Sequence, residues 1–107
     1  MLIVTTEGIA HHRIAETKGQ VFGVVVRSRS LGGNLMASLR SLAGGEIKEY
    51  TQLLEGARRH AIDRMVQNAT TMGANAVVRM QFDSAEIGTS MSEIVAYGTA
   101  VVIEPEG

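Results

Sequence analysis

Residues 93–103 read Glu93-Ile94-Val95-Ala96-Tyr97-Gly98-Thr99-Ala100-Val101-Val102-Ile103, and the fold turns on this stretch. It is rich in β-branched residues and Pro105 follows it, which marks a strand with a defined end. Side chains alternate across a strand. Ile94, Ala96, Ala100 and Val102 therefore lie on one face, and Val95, Tyr97, Val101 and Ile103 on the other. Both faces are apolar. Val21-Phe22-Gly23-Val24-Val25-Val26 shows the same two-sided pattern. Strands of this kind need a cover on each face of their sheet.

One cover is visible further upstream. From about Glu46 to Met72, the residues Tyr50, Leu54, Ala57, Ala61, Met65, Ala69 and Met72 recur at spacings of three and four. That spacing predicts a long helix with a single apolar stripe. Lys48, Glu55, Arg59 and Asp63 fall on its opposite side, with Glu55 and Arg59 in the favoured i,i+4 order. Glu46 and Glu49 suit the positive end of the helix dipole, and Gly73 closes the helix.

The remaining elements are short. Leu2 to Thr5 reads as a strand ended by Glu7-Gly8. Ile9 to Thr17 continues extended, and Lys18-Gly19 reads as a turn before the Val21 to Val26 strand. Gly32-Gly33 breaks that strand. Asn34 caps a short helix from about Leu35 to Ala43, which Gly44-Gly45 stops. Asn75 to Phe82 reads as a strand with Ala76, Val78, Met80 and Phe82 on one face. Ser84 to Ser92 is a polar turn region around Gly88. The expected fold is α+β: a small antiparallel or mixed sheet packed on one long helix plus a short helix. It forms a single domain over residues 1–107.

Composition narrows the function. The 107 residues are 45% apolar and 20% charged, with four aromatics and no tryptophan, so the core is aliphatic. A net charge of −1 provides no field for phosphate backbones or anionic membranes, and the scarcity of aromatics removes stacking platforms for single strands. No nucleic-acid or membrane partner is expected. There is no cysteine, hence no disulfide frame and no thiolate site, which suits a reducing compartment. No apolar stretch approaches the ~20 residues of a membrane span.

The same strands point to self-association. One long helix covers one face of a small sheet. The other face would meet water at about 25 cal/mol per Å² of apolar surface, and exposed patches of this kind mark interfaces. Closed cyclic symmetry is the usual way to bury them. The expected partner is a further copy of the chain.

Candidate chemistry is thin. His11, His12 and His60 are the imidazoles available to a metal. Adjacent His11 and His12 point to opposite faces if both lie on a strand. His60 has only Asp63 nearby on its helix, short of the three or four ligands a metal takes. The six methionines offer soft ligands, but Met65, Met72 and Met80 fall on core positions, where methionine serves as filler. Arg29 with Gly32, Gly33 and Asn34 forms a glycine turn leading into a helix, a candidate anion or nucleotide site. Its spacing matches neither standard phosphate-loop fingerprint. Glu86 and Glu93 flank the polar turn, and no nucleophile–base motif accompanies them. The chain is not expected to be an enzyme.

Several segments together carry a family resemblance. They are Gly44-Gly45 followed by Tyr50, Leu54, Ala57 and Arg58; Gly73-Ala74-Asn75-Ala76-Val77-Val78; Glu86-Ile87-Gly88 before Met91; and Tyr97-Gly98-Thr99-Ala100-Val101. Gly23 and Leu31-Gly32-Gly33-Asn34 agree with them. Over Thr5 to Val102 the chain resembles the YbjQ-like family, described as heavy-metal-binding domains. The resemblance implies a dodecin-like α+β subunit, a ring of five copies and a cytoplasmic location. It also implies an oligomeric binding protein holding a metal ion or small ligand at subunit interfaces. The alternatives are an interaction ring without a small ligand, or anion binding at the Gly32-Gly33-Asn34 turn. No ligand set comes with the resemblance.

Overall fold

The computed structural model describes residues 1–28, 48–88 and 91–106. The strands are β1 (Leu2–Ile3), β2 (His12–Ser28), β3 (Ala76–Ile87) and β4 (Met91–Pro105), and one helix, α1, spans Lys48–Thr71. They form a mixed four-stranded sheet in the order β1-β3-β4-β2. β1 runs parallel to β3, while β3 and β2 flank β4 in antiparallel fashion. This is the α+β architecture expected, with the two-sided strand 93–103 at its centre. The expected helix start at Glu46, the short helix 35–43 and the 32–34 turn lie outside the described residues.

The helix packs on one sheet face through Ala57, Ala61, Met65 and Ala69, all buried and spaced four apart. Three alanines in that row let the helix backbone come very close to β2. The closest point is Gly23, where an added Cβ would sit 2.2 Å from the Ala61 carbonyl oxygen and 2.4 Å from the Met65 nitrogen. β2 is a sheet edge, and edges need protection. The helix provides it: Arg64 Nη1 donates to the Val24 carbonyl at 2.6 Å, and Asn68 Nδ2 to that of Phe22 at 2.8 Å.

Gly73 ends the helix with φ +85, a conformation suited to glycine. Its N–H donates to Thr70 O, and that of Ala74 to Ala69 O. The last turn of α1 carries no basic residue. Lys18, reaching across from β2, brings its Nζ to within 3.7 Å of where a Gly73 Cβ would lie. It thereby supplies the positive charge that a helix C-terminus favours.

Three expectations are corrected. First, Lys18-Gly19 is not a turn. β2 runs through it, and register shifts against β4 at Ile14/Glu16 and Thr17/Gly19 absorb the extra residues as bulges. Gly19 takes φ +119 there, which serves a bulge as well as a turn. Second, β3 does not alternate simply. A register shift between Val78 and Gln81, with Arg79 at φ +52, inserts a residue and changes the face of everything after it. Val77 and Met80 join the helix-side core with Phe82 against it, whereas Ala76 and Val78 face the other way. Gly98 makes room for the bulge, since a Cβ there would lie 2.8 Å from Val78 O and 3.3 Å from Met80 Cα. Third, the polar turn is narrower than residues 84–92: β3 continues to Ile87 and β4 begins at Met91.

The helix-free face has its own partial cover. The N-terminal segment bonds to the outer edge of β3 through Val4 N to Val77 O, Met80 N to Val4 O and Arg79 N to Thr6 O. Val4 and Ile9 pack on Ala76, Val78 and Val101, and Glu7 pairs with Arg79 at 2.9 Å. At the same end, Asn75 acts as a one-residue strand. Its side-chain amide donates to Ile103 O at 3.0 Å and its side-chain oxygen accepts from Ile103 N at 2.7 Å. Asn75→Ala removes both bonds and is expected to cost about 1 kcal/mol. The fall in urea midpoint checks this. An unchanged midpoint would show that solvent replaces the clamp at no cost.

Candidate functional site

Val21 and Val25 turn toward the helix, so Phe22, Val24 and Val26 turn away from it. Register places Phe22 opposite Tyr97, Val24 opposite Val95 and Val26 opposite Glu93. Ile87 and Met91 pair on the same face at the far end of the sheet. This part lies beyond the N-terminal cover. Phe22 is 51% exposed and Val26 49%, with Ile87 and Met91 also exposed; Val24, Val95 and Tyr97 are half-buried. The Tyr97 hydroxyl already has a partner, donating to Gln81 Oε1 at 2.9 Å. The face thus carries apolar residues of β2 and β4, with Glu93, Asp83 and Gln81 on the same face beside them, and its one phenol is satisfied within the subunit.

On the opposite side, an open groove of about 420 Å³ separates α1 from the β3–β4 arm, lined by Leu54, Arg58, Ser84, Glu86, Ser92 and Ile94 among others. Arg58 lies over the Phe82 ring at 5.0 Å, a cation–π contact that anchors the guanidinium. Leu54, expected in the core stripe, is 42% exposed because it reaches only this open groove. Glu86 stands opposite Ser92 and Glu93 opposite Ala85. Strand alternation therefore points the two side chains to opposite faces, although both residues border the groove.

The histidines are separated by the fold. His11 occupies the turn before β2 with φ +63, and its carbonyl accepts the Glu106 N–H. His12 opens β2 opposite Pro105, with its ring Nδ1 2.8 Å from Ala10 O. His60 is exposed midway along α1. Among the described residues, no three His, Asp or Glu side chains come together as a metal-binding group. Met65 and Met80 are buried in the core, as their positions in the pattern predicted. Arg29, Gly32, Gly33 and Asn34 lie outside the described residues. The Glu55–Arg59 pair is not among the ion pairs seen, which include Arg13–Glu104, Lys18–Glu16 and Arg79–Glu7. At an exposed helix surface such a pair gains too little to hold two long side chains together. Sequence reasoning missed the Phe82–Arg58 contact, because the bulge that brings Phe82 to the helix side leaves no local signal.

A helix laid on one face of a four-stranded sheet in the chain order β-β-α-β-β, with the other face partly covered among the described residues, defines a class of small α+β subunit. Residues 1–104 match the YbjQ family model, described as "Putative heavy-metal-binding", and the chain belongs to that family. It is 70% identical over 105 residues to a UPF0145 protein of Bradyrhizobium sp. (strain ORS 278), covering 98% of this chain and 95% of the relative. It is 56% identical over 106 residues to a UPF0145 protein of Methanoregula boonei, covering 99% and 88%. A solved structure from Pediococcus pentosaceus, a protein of unknown function in the DUF74 family, shares the fold. Its TM-score is 0.62 at 17% identity, covering 97% of this chain and 98% of that one. Among the described residues, no helix is long and apolar enough to cross a membrane.

Proposed function

We propose that this chain is the subunit of a cytoplasmic homo-oligomeric binding protein that holds a metal ion or small ligand where subunits meet. The exposed apolar side chains of Phe22, Val26, Ile87 and Met91 on the helix-free face carry this reading. Among the described residues, the N-terminal segment covers that face at one end. The shape agrees: the radius of gyration is 17.3 Å, against about 13 Å for a compact chain of this length. A slab 58 Å long and 16 Å thick gains a further layer on its helix-free face by packing against another copy. The family description supports a metal as the ligand, and the resemblance favours five subunits in a closed ring.

Native mass spectrometry of untagged protein, purified without chelator, tests this reading. A closed assembly carrying extra mass supports both halves of it. An assembly without added mass under any loading condition moves the function to protein docking. A monomer at micromolar concentration overturns the reading.

A further inference from the structure

β2 lies at the edge of the sheet and carries the run Val21-Phe22-Gly23-Val24-Val25-Val26. A short apolar run with no charge and no proline is the pattern that pairs strands between chains when an edge exposes it. The two halves of this edge differ. In the first, register shifts at Ile14/Glu16 and Thr17/Gly19 break the ladder, and Arg13, Glu16 and Lys18 stand along it. Bulges and charges of this sort stop a further strand from adding. In the second, pairing with β4 runs from Gly19 to Ser28 without a shift, and no charge appears before Arg27. This is the half that a foreign strand would extend.

The helix reaches around the edge at that point. In an antiparallel ladder, alternate residues direct their backbone groups away from the partner strand. Phe22 and Val24 are two such residues, because their carbonyls accept from side chains of α1. Asn68 Nδ2 donates to Phe22 O at 2.8 Å, and Arg64 Nη1 to Val24 O at 2.6 Å. Residues 64 and 68 are about one helical turn apart, and residues 22 and 24 are one strand repeat apart, so the two bonds run side by side. Both donors are exposed, where a single hydrogen bond adds little to stability. Their placement has the larger consequence. They occupy the outward carbonyls in the middle of the apolar run, and an incoming strand must displace both.

We propose that Arg64 and Asn68 guard the β2 edge and keep a second copy of the chain from adding strand to strand over Val21–Val26. The test compares wild type, the double variant Arg64→Ala with Asn68→Ala, and Val77→Ala. Val77 is fully buried in the helix-side core on β3, so its truncation lowers stability without touching the β2 edge. Sedimentation velocity, thioflavin T fluorescence and amide hydrogen exchange are read for each, with circular dichroism verifying the fold. Growth is measured against the wild-type size, so the result does not depend on whether the wild-type chain assembles. The double variant is expected to keep its helix, to grow beyond the wild-type size as concentration rises, and to raise the dye signal severalfold. Its Phe22 and Val24 amides are expected to gain exchange protection. Val77→Ala is expected to keep the wild-type size. If the double variant does not fold, Asn68→Ala alone carries the test. A folded variant of wild-type size overturns the guard. Growth that leaves the amides of Phe22 and Val24 unprotected, or that Val77→Ala shows equally, overturns it as well.

Discussion

Gly23→Ala is expected to destabilise the subunit by about 3 kcal/mol or more, at the upper end for overpacked cores. The added Cβ would lie 2.2 and 2.4 Å from backbone atoms of Ala61 and Met65. Backbone inside a helix cannot swing aside as a side chain can. α1 must lift from the sheet, which loosens the contacts of Ala57, Ala61 and Met65 together. Lifting also strains the bonds from Arg64 and Asn68 to the carbonyls of Val24 and Phe22. Urea denaturation followed by far-ultraviolet circular dichroism measures the effect. Gly56→Ala is the matched control, since nothing lies within 4 Å of a Cβ there. It sits inside an exposed helical turn and is expected to stabilise by about 0.5–1 kcal/mol. Equal effects at the two glycines would contradict the close approach described at Gly23.

Phe22→Asp is expected to dissociate the assembly while leaving the subunit folded. Phe22 is 51% exposed in the isolated chain, so the carboxylate costs the subunit little. In an assembled interface the same carboxylate would be buried without a counterion, a penalty of several kcal/mol at each contact. Sedimentation velocity at low micromolar concentration separates the outcomes. Retention of the wild-type subunit number would remove the open face from the interface. Val21→Asp, one residue away, provides the contrast. Val21 is 2% exposed and belongs to the helix-side core, so this variant is expected to unfold the subunit itself.

The candidate site was only partly legible in the sequence. The two-sided strands announced an uncovered apolar face, and that face is present around Phe22 and Val26. Which end of it stays open depends on the N-terminal segment, whose bonds to β3 arise from residues some seventy positions apart. His12 was visible as a residue type, but its orientation by Ala10 was not. His11 between them enters the left-handed region at φ +63, which few side chains prefer.

By itself the sequence determined what is local and periodic. Spacings of three and four placed the helix and its Ala57-Ala61-Met65-Ala69 stripe, unbroken alternation placed the faces of β4, and Gly73 marked the helix end. The tertiary structure decided everything that depends on how two strands match. Bulges at Ile14/Glu16, Thr17/Gly19 and Val78/Gln81 carry β2 through a glycine that reads as a turn, and bring Met80 and Phe82 to the helix side. A bulge is a mismatch in count between partners distant in the chain, compensated by packing such as that of Gly98 against Val78. Since side chains alternate with a period of two, one extra residue reverses every face beyond it, and no window on a single strand contains that information.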